Sequence, residues 1–394
     1  MMRLFSKWKR SPNFLQQNKW GHVERVLMTG GFLAFIFAVG FWNLLSSDQK
    51  FSEEENRVLT QKPALSVNAI LSGEFMSDYE TYLSDQFAGK VGWTTLKAKS
   101  EQWQGKHETN GIFIAKDQFL LEKFTGENQA FSQNLSYIKE FAEKDKERKA
   151  SILLAPTSIE FYKEKLPLFA EVSSQQPVLG EAEEFLKGSV NFINVYQTME
   201  AHKQEDIFFR TDHHWTMRGA YYAYTQAADV LGFKPYAIAD FSSKEVSGTF
   251  LGTYASKAVG FPVQPDAIEV LYPKFPNDYV VTYEDTGKVV HSLYHPESLQ
   301  KRDQYSFFLE GNHSLLTIHS QLKNGRKLAV IKDSYAHAFL PFLANHYEEI
   351  HVIDLRYFHR GLEAYLEKNN LNDILFLYNA PNFMMDANMI WLKS

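Results

Sequence analysis

The sequence predicts an α/β protein built on a parallel sheet and preceded by one N-terminal membrane-spanning helix. Three observations carry this. The C-terminal stretch reads strand, helix, strand, helix, strand in "RKLAVIKDS", "YAHAFLPFLANHY", "EEIHVIDLRY", "GLEAYLEKNN" and "DILFLYNAP", and strands that alternate with helices pair in parallel. The strand runs there, and "ASILLAPT" at 150–157, are continuously apolar, as strands covered on both faces are. Val26–Leu45, "VLMTGGFLAFIFAVGFWNLL", is 20 residues without a charge, the length a helix needs to cross a hydrocarbon core of about 30 Å.

Taken in chain order, residues 1–25 form a basic tail with Arg3, Lys7, Lys9, Arg10, Lys19 and Arg25. Residues 26–45 are the anchor, and Asp48, Glu53, Glu54 and Glu55 follow it. Excess Lys and Arg stay cytoplasmic, so the N-terminus is expected inside and the rest of the chain outside, with an uncleaved signal anchor. Trp42 is expected at the outer interface. Residues 46–69, interrupted by Pro63, read as a stalk leading into a domain at 70–394. Over 70–105, Leu71, Phe75, Tyr79, Tyr82, Leu83 and Phe87 recur at three- and four-residue steps, which predicts helix. Residues 111–123 read as a hairpin, 129–149 as an amphipathic helix, and 150–157 and 190–196 as strands. Residues 215–232 read as a helix closed by Gly232. Residues 240–325, rich in Gly, Pro and short β-like runs, read as an insertion of small strands and loops.

The composition bounds the chemistry. With 394 residues, 44% hydrophobic and 22% charged, the chain can bury a sizeable core. A net charge of −6 implies no basic face, and nucleic acid is not an expected partner. The absence of Cys excludes disulfides, thiolate nucleophiles and Cys metal sites. Aromatic residues make up 15% of the chain, which fits either an aromatic core or a surface that faces carbohydrate.

Ligands of parallel sheets gather beyond the C-terminal strand ends. The residues there are Asp333–Ser334, then Asp354, Arg356 and Tyr357, then Tyr378 and Asn379. Ser334 stands at a strand-to-helix turn, which exposes its hydroxyl near the positive end of a helix; a lone serine there is otherwise an N-cap. A nucleophilic serine needs a base, and the base needs an orienting group. "RTDHHWT" at 210–216 supplies both. With 208–214 extended, Asp212 and His214 share one side and His213 takes the other. Asn379 is a candidate oxyanion donor, as are the backbone amide at Ser334 and the loop residues Gly311 and Asn312. Arg356 is a candidate for orienting a substrate, and Tyr357 stands beside it.

The stretches "ENR.L" (Glu55–Leu59), "TDHHWT", "EGN", "KDSYA" and "VIDLRYF" resemble the DHHW family. That family is similar to extracytoplasmic polysaccharide O-acetyltransferases of the AlgX and AlgJ type. The resemblance covers residues from about 50 to 390. It implies an SGNH-hydrolase-like parallel sheet flanked by helices with rearranged chain order, the Asp-x-His motif preceding the serine as Asp212 and His214 precede Ser334. It implies a Ser334–His214–Asp212 triad, a polysaccharide acceptor, and a polytopic membrane O-acyltransferase that delivers acetyl groups. No cofactor and no metal are expected. The turn here reads Lys-Asp-Ser, where better-known hydrolases have Gly-Asp-Ser. Two other readings stand beside this one. Asp212, His213 and His214 are a possible ligand set for a metal-dependent phosphoesterase, although His337, His346 and His351 follow no ligand pattern. A non-catalytic protein that binds or assembles exopolysaccharide would keep the fold without the reaction.

Overall fold

The computed structural model describes residues 13–52, 54–55, 57–126, 130–359 and 361–394. Of the charges expected to orient the anchor, Arg3, Lys7, Lys9, Arg10, the side chain of Lys19 and Glu53 lie outside the described residues. The chain divides into two compact units, residues 1–52 with 57–94, and residues 53–56 with 95–394.

In the first unit, Asn13–Leu45 is one helix. Its segment His22–Leu45 is long and apolar enough to cross a membrane, and none of its most apolar window is buried in protein. Residues 46–69, read as a stalk, contain a short antiparallel ladder that pairs Phe51 with Val58 and Ser52 with Arg57. The Arg57 guanidinium binds the buried Asp85 carboxylate in a two-pronged ion pair, and Thr60 N–H donates to the same group at 2.9 Å. The helical periodicity over 70–105 is realised as three helices, Val67–Ser72, Glu74–Asp85 and Lys90–Trp103. Gly73, at φ +80°, separates the first two with a left-handed turn open to glycine.

The second unit is organised on an eight-stranded sheet. Its strands are β1 (Lys149–Ala155), β2 (Asn191–Phe192), β3 (Tyr279–Tyr283), β4 (Lys288–Val290), β5 (Leu315–Ser320), β6 (Lys327–Lys332), β7 (Glu349–Ile353) and β8 (Asp373–Asn379). Their spatial order is β4-β3-β5-β7-β6-β8-β1-β2. The five strands β7, β6, β8, β1 and β2 pair in parallel, and β5, β3 and β4 extend the sheet by antiparallel pairs. The C-terminal β-α-β-α-β reading is therefore realised, with β6 between β7 and β8. β1 and β6 to β8 are buried almost throughout, as their apolar runs require. Segment 240–325 supplies β3, β4 and β5, and also a hairpin of Phe241–Phe250 with Asp266–Pro273.

Two expected strands differ from the expectation. The run at 190–196 pairs only through Asn191–Phe192, after which Ile193 N–H makes a last bond to Ile152. The Asn194 carbonyl then accepts from Tyr196 N–H and starts the Tyr196–Ala201 helix, the turn chemistry that short amide side chains favour. The run 208–214 is not extended. It folds back on itself, with one isolated bridge between Phe208 and Trp215 and a bond from Thr216 N–H to Ile207 O at 3.0 Å.

Candidate active site

Ser334 lies one residue beyond β6, with its turn fixed from beneath by Asp333. The Asp333 carboxylate accepts from Tyr335 N–H (2.9 Å), Asn379 N–H (3.0 Å), Asn379 Nδ2 (2.8 Å) and Asn382 Nδ2 (3.2 Å). That network links the ends of β6 and β8. It also engages Asn379, whose amide nitrogen gives one of its two hydrogens to Asp333 and whose side-chain carbonyl caps the next helix through Asn382 N–H.

The "TDHHWT" turn arrives from another part of the chain, and its outer residues hold it in place. Thr216 caps the Met217–Leu231 helix by accepting from Gly219 N–H. The Trp215 indole is fully buried, packs on Tyr335 and Phe339, and donates to Tyr335 O at 2.9 Å. In return the Tyr335 hydroxyl donates to His213 O. The serine turn and the histidine turn are thus joined by two reciprocal hydrogen bonds.

Within that frame His214 Nε2 is 2.7 Å from Ser334 Oγ, and His214 Nδ1 is 2.5 Å from Asp212 Oδ1. The three residues expected from the sequence therefore form a continuous chain of hydrogen bonds. Strand alternation does not bring them together. The Asp212 carboxylate accepts the backbone N–H of His214 at 3.0 Å, and this local turn places carboxylate and ring on one side. The other carboxylate oxygen accepts from Thr253 N–H (2.8 Å) and Thr253 Oγ1 (3.1 Å). His213 turns to Thr253, with Nδ1 2.7 Å from Oγ1.

The electrostatics suit a neutral base beside a charged acid. Burial opposes the Asp212 charge, but the two imidazoles beside it and their hydrogen bonds hold its carboxyl well below the usual range. Burial, helped by the neighbouring His213, pulls His214 down to about 4 against the attraction of Asp212. A neutral His214 with its Nδ1–H directed to Asp212 leaves Nε2 as an acceptor for the serine proton. Tyr305 stacks on the His214 ring, with centroids 3.7 Å apart and planes 10° apart.

The remaining expected residues cluster around a buried lysine. Lys332 and Asp354 form an ion pair at 3.1 Å with both side chains withdrawn from solvent. Arg356 grips Asp354 through Nε (2.8 Å) and Nη2 (2.6 Å). Asn312 accepts from Lys332 (3.2 Å) and Arg356 (3.1 Å) through Oδ1. Gly311 sits at φ +90°, where an added Cβ would meet Ser306 Oγ at 2.9 Å, so the loop turns there on glycine. Tyr357 is 54% exposed and carries the Arg356 guanidinium over its ring.

Sequence reasoning missed Gly252, Thr253, Tyr305 and the buried ion pair of Lys332 with Asp354. A Cβ on Gly252 would lie 2.2 Å from the Asp212 Cβ, so the carboxylate fits only against glycine. "LGTYA" at 251–255 gives no signal of this, because the partner stands 41 positions away, beyond a helix and a strand.

These features define an α/β protein whose buried Asp-His pair faces a serine at the end of a central strand. A family model for DHHW proteins matches residues 156–353, about half of the chain, and the protein belongs to the DHHW family. Among solved structures it resembles a DHHW family protein from Eubacterium siraeum, with TM-score 0.64, 27% identity, and 73% of this chain and 96% of that chain covered. It also resembles Bacillus cereus PatB1 bearing a sulfonyl adduct, with TM-score 0.59, 22% identity, and 70% and 97% covered. The O-acetyltransferase domain of Pseudomonas putida AlgJ matches at TM-score 0.44 and 16% identity, with 72% and 98% covered. No curated protein matches the chain.

Proposed function

We propose that this protein is a membrane-anchored, extracytoplasmic O-acetyltransferase or acetylesterase that acts on a cell-surface polysaccharide through Ser334, His214 and Asp212. The observation that carries this is the hydrogen-bond chain from Asp212 through His214 to Ser334. Such a chain has one chemical use that needs all three groups. His214 takes the Ser334 proton as Oγ attacks an acetyl ester, and returns it to the departing alcohol. The acetyl-serine then passes its acyl group to a sugar hydroxyl or to water, with His214 activating the acceptor. Asp212 holds the ring in the required tautomer and stabilises its cation. The serine after a parallel strand, with the acid–base pair earlier in the chain, supports an SGNH-hydrolase-like fold of rearranged order.

The apolar helix and the basic residues before it support a single-pass anchor with the N-terminus cytoplasmic. Acetyl groups would then come from a polytopic membrane O-acyltransferase. The test uses the full-length protein in detergent with a chromogenic acetyl ester and a sulfonyl fluoride. Acetate release and sulfonylation by the parent, both lost in Ser334→Ala and release lost in His214→Ala, support the reading. A parent inert to both reagents sinks it and favours a binding or assembly protein. One observation favours a second reading: donor atoms of Asp212, His213 and His214 lie within 4.8 Å of one another, a spacing that a metal ion could bridge. Activity abolished by a chelator and restored by a divalent metal would favour that reading.

A further inference from the structure

The His214 ring is covered by Tyr305, which lies face over face on it with centroids 3.7 Å apart and planes 10° apart. Two neutral aromatic rings prefer offset or edge-on pairs with centroids about 4.5–7 Å apart, and this contact is closer than that. Tyr305 is 4% exposed and is held from other sides, by Phe209 at a right angle (6.2 Å) and by Phe308 at a tilt (5.4 Å). It stands on the short helix Gln304–Phe307, apart in sequence from both the histidine turn and the serine turn. Its hydroxyl comes no nearer than 3.5 Å to Ser334 O, the outer limit of a hydrogen bond. The ring is therefore the part of this side chain that meets the Asp212–His214–Ser334 chain.

A base that takes the serine proton becomes a cation, and this site is a poor place for one. Burial opposes a charge on His214, and the charges of His213 and Lys332 oppose it as well, leaving Asp212 to favour it. Asp212 acts at the ring edge, through Nδ1. The ring face is met by Tyr305, and the face of an aromatic ring carries the negative part of its quadrupole, which attracts a cation laid over it. We propose that Tyr305 is a positioning residue whose ring face stabilises the His214 imidazolium and keeps that ring in line between Asp212 and Ser334. This rests on the reading of Ser334, His214 and Asp212 as a triad. As Ser334 Oγ bonds to the acetyl carbonyl carbon, the carbonyl π pair moves onto oxygen and the serine proton passes to His214 Nε2. The ring then carries one positive charge, with Asp212 at its edge and Tyr305 on its face. When the adduct collapses, the carbonyl re-forms, the ester C–O bond breaks, and the departing alcohol takes that proton. Passing the acetyl group on to a sugar hydroxyl or to water goes through the same cation. Tyr305 gains and loses no proton.

The experiment measures kcat/KM for a chromogenic acetyl ester, and the thermal unfolding midpoint, with full-length protein in detergent. The variants are Tyr305→Phe and Tyr305→Leu, together with phenylalanines bearing one, two or three ring fluorines placed at position 305 by nonsense suppression. Fluorine draws electron density out of the ring face and barely changes the size of the ring, so packing is kept while the attraction for a cation is removed in steps. Tyr305→Phe is expected to stay within about threefold of the parent, and kcat/KM then falls with each fluorine to about tenfold below Phe at three, the size of one cation–π contact shielded from water. Unfolding midpoints stay level across the fluorine series. Tyr305→Leu, apolar but without a π face, loses about as much as the trifluoro variant. A flat fluorine series beside a weak Leu variant would mean that Tyr305 only packs on His214, and this overturns the proposal. A Phe variant as poor as Leu, which would put the effect in the hydroxyl, or an undiminished Leu variant also overturns it. An inert parent overturns the triad reading and this one together, whereas an active parent with a flat series overturns this one alone.

Discussion

Asp212 makes four hydrogen bonds, two to His214 and two to Thr253, so its position is set by a residue 41 places away. Replacing Gly252 with alanine drives a methyl group into that carboxylate. The expected outcome is a fall in ester turnover of about 10²-fold, the scale for a displacement near 1 Å, with sulfonyl fluoride labelling of Ser334 slowed in parallel. Labelling at the parental rate would show that Asp212 does not govern the serine. A second prediction concerns pH. In the proposed triad the active form of His214 is neutral, and burial with the adjacent His213 holds its pKa at about 4. Activity is therefore complete above that value and is lost as pH falls through it, rather than near 6.5, where a free imidazole titrates. His213→Gln removes the neighbouring positive charge, so the acid limb of kcat/KM moves to higher pH; a limb that stays put or moves down counts against this account. At this scale Ser334, His214 and Asp212 could be picked out as a candidate set by residue type, and the structure brings them into hydrogen-bond contact. Thr253 and Tyr305 were hidden because an ordinary threonine and tyrosine become partners only through the fold. The bond from Asn379 to Asp333 was hidden for the same reason.

The adjacent ends of β6 and β7 carry Lys332 and Asp354, 1% and 0% exposed at their side chains. Burial lowers the lysine pKa, and Asp354 opposes that shift. Asp354→Asn leaves a buried ammonium without its counter-ion, which costs about 3–5 kcal/mol, and it also frees the Arg356 guanidinium. Chemical denaturation of the full chain in detergent should show a loss of that size, and a loss under about 1 kcal/mol would mean the pair contributes little. Trp215→Phe is milder. It keeps the packing on Phe339 and removes only the indole hydrogen bond to the buried Tyr335 carbonyl, a cost of about 0.5–1.5 kcal/mol, with slower labelling of Ser334 because one of the two bonds that tie the turns is gone. Elements were legible where period and length agreed, as in the C-terminal β-α-β-α-β and the Met217–Leu231 helix. They were not legible where a run lacked a partner. Residues 208–214 have strand-like composition, but only the isolated Phe208–Trp215 bridge forms there, and a strand without a ladder folds back into turns.

Across the whole molecule, the aromatic content resolves toward the core. Among the described residues the largest fully buried side chains are all aromatic, Trp215, Tyr224, Tyr335 and Phe208 among them, so a large part of the 15% aromatic share goes into packing. The composition could not distinguish this from a carbohydrate-facing surface, because burial depends on pairings between distant segments. The long apolar helix, by contrast, was legible at once, since the fitness of a run to span a membrane depends on local length and polarity alone. Its proposed direction rests on charge. Six Lys or Arg residues precede the apolar run, and four Asp or Glu residues follow within ten positions of its end. Basic flanks are retained on the cytoplasmic side, whereas acidic ones contribute little to orientation, so the six cations carry the proposal of a cytoplasmic N-terminus. The full-length protein with an epitope at its N-terminus, expressed in bacterial cells whose outer barriers have been removed, should lose everything after about residue 46 to added protease. The tagged anchor fragment should survive until detergent is added. Protection of the C-terminal part would place Ser334 in the cytoplasm, away from any cell-surface polysaccharide. Membrane association that alkaline carbonate reverses would mean that the apolar helix lies against another surface instead of spanning the bilayer.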